Sequence, residues 1–430
     1  MLTASPDRIA RDLHVLANDI GIRLAGTPGE RAAADHVITT AEVLGLAVHD
    51  ETFPVKSRDV TAEQLEIRVH GDWRPFPCSL FSSTPGTDGE WREAPLAVLT
   101  PTDYQRADLG DLRGRAVIHL GTHIESRASY ARLMDAGPAF LLMVDTRYPG
   151  ATPLADGMFP EYTAAIGAVP TLNVAHRDAW DWVAAGATHA RCRVAGGMTP
   201  ATSQNVVIDL PGTDLADDIL YASAHHDTQA GSPGADDNGS GVVGVLELAR
   251  LLHDRPRRRT IRLISFGAEE QLSVGSAAYV RRHRAEIEAR GRAMYNLDSF
   301  GSHLGWLELY INGDPSFEAS FRPHFHAAGR YYRTHTGVVP YADHFPFVAA
   351  GLPGVFHYRV NCDAGRFFHH RPDDDVSRVS ADVIAADVGA IATWLDDLAT
   401  ADVLPFEPGI PQAQRDEVAA CWQDLFGGWR

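Results

Sequence analysis

Apolar strands and amphipathic helices alternate in the second half of the chain. From Asn205 onward, apolar runs such as DILYASA and RTIRLISF are separated by helical stretches such as GSGVVGVLELARLLHD. Apolar strands separated by helices are typical of a largely parallel sheet with helices on both faces. The pattern therefore predicts an α/β fold with a mostly parallel central sheet.

The first half of the chain shows a different order of predicted helices and strands. A first helix is predicted by SPDRIARDLHVLAN, in which Ile9, Leu13 and Leu16 have helical spacing. A second helix is predicted by GTPGERAAADHVITTAEVLGL. Two strands are predicted by the alternation in AVHDETFPV and LEIRVHG. Turn-forming residues at 72–86 and again at 196–204 enclose a segment with a strand in LGDLRGRAVIHLG and a helix-like SYARLMDAGPAFLLMVD. These shifts predict domain boundaries near residues 74 and 197.

The end of the chain predicts one more helix. In PQAQRDEVAACWQDLFGGWR, Val418, Trp422 and Leu425 fall on one side of a helix. We expect this tail, residues 401–430, to pack on the body of the protein, with a contact between two copies in a homo-oligomer as the alternative.

Composition excludes several classes of function. The chain has 56 Asp and Glu residues against 38 Lys and Arg, a formal charge of −18, which disfavours binding to nucleic acid or to an anionic membrane. The N-terminal stretch has charges throughout, and no uncharged apolar run reaches the roughly 18 residues of a membrane span. We therefore expect a cytoplasmic protein without a membrane or nucleic-acid partner.

The four cysteines do not predict a disulfide framework or a thiolate metal site. Cys78, Cys192, Cys362 and Cys421 lie far apart and form no CxxC pair. We expect buried free thiols.

Acidic residues and histidines follow three of the predicted strands. His225 and Asp227 come after ILYASA, Glu269 and Glu270 after IRLISFGA, and Asp298 after AMYNL. Sites in parallel sheets lie at the carboxyl ends of strands. Clustered carboxylates and histidines are costly unless a cation neutralises them. The pattern favours a metal or acid/base site over the alternative, a solvated loop.

The residue types suit a dinuclear site. Two metal ions that share one carboxylate can activate water and polarise a carbonyl together. Such a site needs a bridging carboxylate, two histidines, two further carboxylates and a separate general base, and the sequence offers each of these. A helix predicted to begin at NGSG, directly after Asp237, would point its N-terminal NH groups at the acidic cluster.

Five segments in order resemble the motifs of a known family. SAHHDT, GSPGADDNGSG, SFGAEE with GSAAYV, NLDSFG and FHHRPDDDVSRV are similar to the successive motifs of the co-catalytic zinc exopeptidases, peptidase family twenty-eight. That family includes bacterial leucyl aminopeptidases, glutamate carboxypeptidases and, more distantly, glutaminyl cyclases. The resemblance extends from about Asn205 to Ser380 and implies the zinc exopeptidase fold.

The resemblance implies a role for each motif residue. It implies two divalent metal ions, zinc by the family's example, with the second Asp of GADDN as the bridging ligand, followed by a cis peptide bond. His370, with Asp374 four residues later, is preferred to His369 as the last ligand, and Asp236 is a bystander. The implied metal ligands are His225, Asp237, Glu270, Asp298 and His370, with Glu269 as general base and Asp227 orienting His225.

Some positions depart from the family pattern. After the acid pair, Leu272 and Ser273 replace the usual Gly and Leu, so the local turn is expected to differ, and Arg371 stands where Thr is usual. YADHFPF resembles a family segment near the substrate site. It makes Asp343 and His344, together with Arg371, candidate substrate contacts, with a structural role as the alternative. His226 is expected to line the pocket wall or lie on the surface.

The middle segment resembles a protease-associated domain. DLRGRAVIHL, DAGPAFLLMV and VPTLNV are similar to its landmarks, and GIRLAGTPGERAAADHV resembles the opening of the catalytic domain. The predicted organisation is therefore a catalytic domain made of residues 1–74 and 198–400, an inserted β-rich α/β domain at 75–197, and the tail helix at 401–430.

The resemblance predicts a hydrolase, a dinuclear zinc aminopeptidase that releases N-terminal residues of a peptide or aminoacyl substrate through a metal-activated water and a Glu base. A carboxypeptidase or dipeptidase is the main alternative and needs a cation for the substrate carboxylate, for which Arg333, Arg359 and Arg371 are candidates. A non-peptide amidohydrolase, a glutaminyl cyclase and an inactive receptor-like binding module are further alternatives.

Overall fold

The computed structural model describes residues 1–121, 123–124, 126–147, 150–360 and 367–429. Its strands are β1 Ala47–Val69, β2 Asp72–Phe76, β3 Cys78–Leu80, β4 Arg92–Leu99, β5 Ala116–Leu120, β6 Phe140–Val144, β7 Thr171–Val174, β8 His189–Leu210, β9 Leu215–His225, β10 Arg259–Phe266, β11 Gly291–Leu297, β12 Trp306–Asn312, β13 Tyr332–His335 and β14 Gly354–Val360. Its α-helices are α1 Pro6–His14, α2 Pro28–Val43, α3 Arg127–Ala136, α4 Pro160–Ile166, α5 His176–Ala184, α6 Gly241–Leu252, α7 Val274–Arg290, α8 Pro315–Ala327, α9 His344–Ala349, α10 Ala381–Thr400 and α11 Gln412–Phe426.

The centre of the sheet is parallel. Strands β10, β9, β11 and β14 lie side by side in that order and run in the same direction. Antiparallel pairing begins on either side, where β8 joins β10 and β12 joins β14. The predicted α/β fold with a mostly parallel central sheet is confirmed.

Helices cover both faces of this sheet because the strands are apolar on both sides. On one face, Leu220 and Ala222 of β9 pack in a cluster with residues of α1, α2, α6, α8 and α10. On the other face, Ile219 and Tyr221 pack against α7 and against Phe347 of α9. Alternate residues of one strand thus point into two separate cores, as a doubly covered strand requires.

A long antiparallel ribbon joins the central sheet to the middle segment. Strands β1 and β8 pair from Ala47 opposite Asp209 to Arg68 opposite His189, with an irregularity between Val60 and Ala62. At its far end β8 pairs with β4, which begins a second parallel run, β4, β5, β6 and β7. The predicted boundary at residue 197 falls within β8, and the division into domains stays a prediction.

One predicted element of the middle segment is wrong. SYARLMDAGPAFLLMVD reads as a continuous helical stretch, but α3 ends at Ala136 and β6 begins at Phe140. Gly137 has a left-handed φ of 73° and closes the helix. The apolar run that follows, FLLMV, is entirely buried and therefore forms an interior strand.

The predicted tail helix is present as α11 and contacts two parts of the molecule. Val418, Trp422 and Leu425 are buried, as the spacing predicts, in a cluster that also holds Phe345 of α9. Asp424 accepts a hydrogen bond of 2.5 Å from the hydroxyl of Tyr162 on α4. Helix α11 therefore ties the middle segment to the central sheet.

Three of the cysteines lie in the described ranges. Cys192 is buried, Cys78 and Cys421 are partly exposed, and all three are free thiols. Cys362 lies outside the described residues. Among the described helices, none combines the length and apolarity that crossing a bilayer requires. The cytoplasmic location and the homo-oligomer stay predictions.

Candidate metal centre

The parallel strands bring the predicted site residues to one edge of the sheet. Strand β9 ends at His225, β10 ends three residues before Glu269, and β11 ends one residue before Asp298. Because β10, β9 and β11 are neighbours that run in the same direction, their carboxyl ends meet. The three strand ends thus place one imidazole and two carboxyl groups around one point.

Asp237 lies at the middle of this cluster and has a different neighbour at each of its oxygens. Oδ1 is 3.3 Å from Nε2 of His225, and that same Nε2 is 3.6 Å from Oδ1 of Asp298. Oδ2 is 3.2 Å from Nε2 of His370, which is 3.1 Å from Oε2 of Glu270. The peptide bond that follows Asp237 is cis, as the resemblance implies.

His369 also reaches Asp237. Its Nδ1 lies 3.1 Å from Oδ2, and the rings of His369 and His370 are stacked with centroids 3.6 Å apart. The contact with Glu270 is made by His370. The structure thus brings both histidines to the site, and the preference for His370 as ligand stays a prediction.

Two sets of donors suit a metal ion. Ligand atoms of His225, Asp237 and Asp298 lie within 4.8 Å of one another, as do those of Asp237, His369 and His370. Nε2 of His225 and Oε1 of Glu270 are buried and have no hydrogen-bond partner among the described residues. Imidazole and carboxylate are the donors that zinc takes at catalytic sites. The residues therefore fit a divalent cation such as zinc.

The electrostatics of the cluster also favour a cation. Burial disfavours charge on His225, yet the carboxylates of Asp298 and Glu269 hold its pKa well above the usual range. Burial raises the pKa of Glu270 to about 7 and raises that of Glu269 well above its usual range. The raised pKa of His225 thus reflects the negative charge gathered around it, which a bound cation would neutralise.

Two aspartates hold the ligand-bearing loops. The carboxylate of Asp227 accepts hydrogen bonds from the backbone NH groups of Glu269, at 2.9 Å, and Glu270, at 3.2 Å. The backbone oxygen of Asp227 is 3.2 Å from Nδ1 of His225. Because a carbonyl only accepts, Nδ1 is the donor and Nε2 is left to face the cluster. Asp374 accepts the backbone NH groups of both Asp236, at 2.9 Å, and Asp237, at 3.0 Å.

Arg23, from the N-terminal part of the chain, is fully buried beneath the same loops. Five hydrogen bonds join its guanidinium to backbone oxygens, at 2.8 Å for His226, 3.1 Å for Leu16, 2.9 Å for Gly21, 2.7 Å for Pro233 and 2.9 Å for Gly234. The guanidinium thus holds both ends of the loop that leads from β9 to Asp237. Burial lowers its pKa to about 10, which leaves it charged at neutral pH.

Replacing Arg23 with lysine is expected to weaken metal binding and lower stability. The lysine keeps the charge but has too few donors for five carbonyl oxygens, and each buried acceptor left without a partner costs about 1–3 kcal/mol. We expect the free energy of unfolding to fall by about 3 kcal/mol or more, and zinc to be lost to a chelator at lower concentration. Denaturant unfolding and chelator competition measure the two effects.

Arg31→Lys is the matched control for that substitution. Arg31 lies on α2 and pairs with Asp35 and Asp50, and its side chain is 41% exposed. Exposed ion pairs contribute about 1 kcal/mol or less, so the control should change neither measurement appreciably. Equal effects of the two substitutions would contradict the role given to Arg23.

Glu30 supports the acid pair from below. Its carboxylate accepts hydrogen bonds from the Ser203 hydroxyl at 2.7 Å and from the backbone NH of Ala268, the residue before Glu269, at 3.1 Å. Burial and the nearby charge of Asp227 raise the pKa of Glu30 to about 8. Glu30 is therefore a buried acid behind the cluster, and it does not line the cavity.

A cavity of about 340 Å³ opens onto the cluster. The middle segment forms one of its walls through Ser82, Ser83, His123, Arg147, Asp156, Gly157, Met158 and Phe159. Another part of the lining is aromatic, with Phe356 stacked on Tyr358 at 5.2 Å and Tyr310 6.0 Å from Phe356. The cavity floor is acidic, because Asp237, Glu269, Glu270 and Asp298 line it.

The predicted substrate residues are not on the cavity wall. Arg371 is buried and donates to the backbone oxygen of Thr152 at 3.1 Å. Asp343 and His344 are fully buried, and His344 stacks on Phe356 behind the wall. Their assignment as substrate contacts is untested.

Two further predictions about side chains change. His226 is buried, with Nδ1 2.9 Å from the hydroxyl of Ser265, so the expectation of a surface residue is wrong. Of the arginines considered for a substrate carboxylate, Arg359 donates to the backbone oxygen of Gly305 at 2.7 Å and Arg333 is 71% exposed. Among the described residues, Arg147 is the arginine that lines the cavity.

Sequence reasoning missed Arg23, Glu30 and the wall formed by the middle segment. Each makes its contact across a long stretch of chain, as when Arg23 bonds to Gly234. Local periodicity carries no signal for such contacts. The similarity of the segment around Arg23 to the opening of the catalytic domain was the available indication.

Comparisons with known proteins agree with this arrangement. Residues 205–394 match the model of Peptidase family M28. Aminopeptidase YwaD of Bacillus subtilis (strain 168) is 28% identical over 384 residues, 85% of this chain and 78% of that protein. Carboxypeptidase Q of Homo sapiens is 26% identical over 296 residues, 64% of this chain and 61% of that protein.

One solved structure extends the likeness to the fold. BSAP, a zinc aminopeptidase from Bacillus subtilis, superposes with a TM-score of 0.77 at 22% sequence identity. The superposition covers 95% of this chain and 99% of that one. The likeness therefore spans the middle segment as well as the central sheet.

Proposed function

We propose that this chain, whose residues 205–394 match the model of Peptidase family M28, is an aminopeptidase with two zinc ions. The observation that carries the proposal is the position of Asp237, whose two oxygens face two separate sets of donors. A carboxylate shared in this way is the element that a dinuclear site requires. The aminopeptidase and zinc named for the relatives support this choice.

The proposed ligands follow from the contacts. His225, Asp237 and Asp298 would hold one ion, and Asp237, Glu270 and His370 the other. When bound, ions of this kind lower the pKa of water and polarise the carbonyl group under attack. Asp227 and Asp374 keep the ligand-bearing loops in place through their hydrogen bonds to backbone NH groups.

Glu269 is the proposed general base. It lines the cavity, and its Oε2 lies 3.8 Å from Nε2 of His225. Its carboxylate would accept a proton from the attacking water and pass that proton to the leaving amine when the peptide bond breaks. Low exposure, 8% for the residue, keeps this proton transfer away from bulk water.

The charges around the cavity favour the free amine of a peptide over its free carboxylate. Five carboxyl groups line the cavity, those of Asp156, Asp237, Glu269, Glu270 and Asp298, whereas Arg147 is the lining arginine among the described residues. Two bound divalent ions would offset four of these charges, and Asp145 balances the charge of Arg147, which leaves Asp156 outside the ligand set. An ammonium group is therefore better placed here than a carboxylate.

A carboxypeptidase is the second candidate, and Arg147 favours it. Arg147 lines the cavity and donates to Asp145, with Nη2 2.8 Å from Oδ2, so its guanidinium is held at the wall. Carboxypeptidase Q is among the relatives. The middle segment, which we propose to be a protease-associated-like insertion, would then select substrates in either case.

Mass spectrometry of one peptide set separates these candidates. The set carries free and acetylated N-termini and free and amidated C-termini, and zinc-loaded protein is compared with Glu269→Ala. We expect residues to be released from free N-termini alone, regardless of the C-terminus. Release from free C-termini that Arg147→Ala abolishes would establish the carboxypeptidase instead. No cleavage by protein that binds two metal ions would overturn both and indicate a non-peptide amide substrate.

A further inference from the structure

The hydroxyl of Ser273 contacts the carboxylate of the proposed base. Ser273 is completely buried, and its Oγ lies 3.0 Å from Oε1 of Glu269. A carboxylate is an acceptor, so the hydroxyl donates. The backbone NH of Ser273 also donates to the backbone oxygen of Glu269 at 2.6 Å. The carboxylate and the backbone oxygen of Glu269 thus both accept hydrogen bonds from Ser273, four positions later.

The turn that brings Ser273 back is unusual for residues other than glycine. Ala268, Leu272 and Ser273 have φ of 52°, 69° and 48°, and all lie in the left-handed region. Such angles are disfavoured for residues with a Cβ and persist where the surrounding structure determines them. The turn comes directly after Glu269 and Glu270 and points the side chain of Ser273 at Glu269.

This contact distinguishes the chain from the family pattern that it resembles. The pattern has glycine and leucine where this chain has Leu272 and Ser273. A leucine side chain at that place has no donor for a carboxylate. The side chain that the resembled pattern has at this position could therefore not make the hydrogen bond to Glu269.

The hydrogen bond distinguishes the two oxygens of Glu269. Oε1 receives the Ser273 hydroxyl, whereas Oε2 is the oxygen that approaches His225. Asp227 holds the backbone NH of Glu269 at 2.9 Å. With its backbone and Oε1 both fixed, the carboxylate keeps one orientation relative to the donors around Asp237.

We propose that Ser273 is a positioning residue, which fixes the Glu269 carboxylate through Oε1 so that Oε2 is the oxygen that exchanges the proton. This inference rests on the proposed function, because it assigns a purpose to the orientation of the base. Ser273 takes no part in the proton transfer itself. Loss of the hydroxyl leaves Glu269 present but free to turn.

The test is steady-state kinetics of zinc-loaded Ser273→Ala. We expect kcat to fall by about 10- to 100-fold, as for a misplaced catalytic group, while KM and zinc content stay close to those of the unchanged protein and the variant stays folded at the assay temperature. Ser273→Cys keeps a donor without a β-branch at this left-handed position and should recover part of the lost kcat. Ser223→Ala is the matched control, since Ser223 is also buried and donates to a side chain, that of Asn296, at 2.7 Å.

A double variant separates this inference from the proposed function. In a Glu269→Ala background, removal of the Ser273 hydroxyl should cause no further loss, because the group that it positions is gone. Unchanged kcat in Ser273→Ala, or a loss explained by lower zinc content or melting temperature, would overturn the positioning role alone. Full activity of Glu269→Ala would overturn the proposed base, and the inference with it.

Discussion

Glu269→Ala is expected to abolish peptide hydrolysis without releasing metal. General acid–base catalysis contributes about 10²–10⁴-fold to rates, and the substitution removes the carboxylate proposed for both proton transfers. The proposed ligands, including Glu270, stay in place because Asp227 holds the backbone NH groups of both acids. The measurement is kcat with an N-terminally free peptide, alongside zinc content by elemental analysis.

Two variants sharpen this prediction. Glu269→Gln keeps the shape and the acceptor for Ser273 but cannot take up a proton, so it should be as inactive as the alanine variant. Gln271→Ala removes a partly exposed side chain from the same cavity lining, one that donates to the backbone oxygen of Lys56. It should change kcat by about twofold at most. Substantial activity of Glu269→Gln would rule out proton transfer by this residue.

Replacing Asp237 with alanine is expected to remove both metal ions and all activity. Each of its oxygens faces a different set of donors, so one substitution damages two sites. It also leaves the imidazoles of His225 and His370 without their common acidic neighbour. We expect zinc content after dialysis to fall below one ion per chain, and kcat to fall by more than about 10³-fold.

Asp236→Asn provides the matched control at the neighbouring position. Asp236 is also buried, but it accepts the backbone NH of Gly301 at 2.7 Å, and an asparagine oxygen can do the same. Zinc content should stay near that of the unchanged protein. His369→Ala should retain both ions, whereas His370→Ala should lose one. Retention of two ions in Asp237→Ala would contradict a shared carboxylate.

The sequence predicted the centre of the molecule well because its signals are local there. Strands β9, β10 and β11 are apolar runs bounded by helices, and the rule that sites lie at carboxyl ends of parallel strands brings His225, Glu269 and Asp298 together. That placement followed from sheet direction alone. The roles given to these residues rest on resemblance and stay predictions.

Contacts between distant parts of the chain could not be predicted in the same way. Arg23 bonds to backbone oxygens near residue 233, and β1 pairs with β8 across well over a hundred residues. Backbone carbonyls carry no residue-specific signature, so nothing in the sequence identifies them as partners of an arginine. The error at Gly137 has a local cause, since the apolar run after it suits a buried strand or a buried helix equally.

The position of helix α11 in the chain determines when the middle segment and the central sheet can be joined. It anchors Tyr162 of the middle segment through Asp424 and packs Trp422 beside Phe345, yet it follows both partners in the chain. A ribosome makes the chain from its N-terminus, so the two walls of the cavity are complete before the element that holds them together exists. The middle segment and the central sheet should therefore become fixed to each other through α11 only after each has been made.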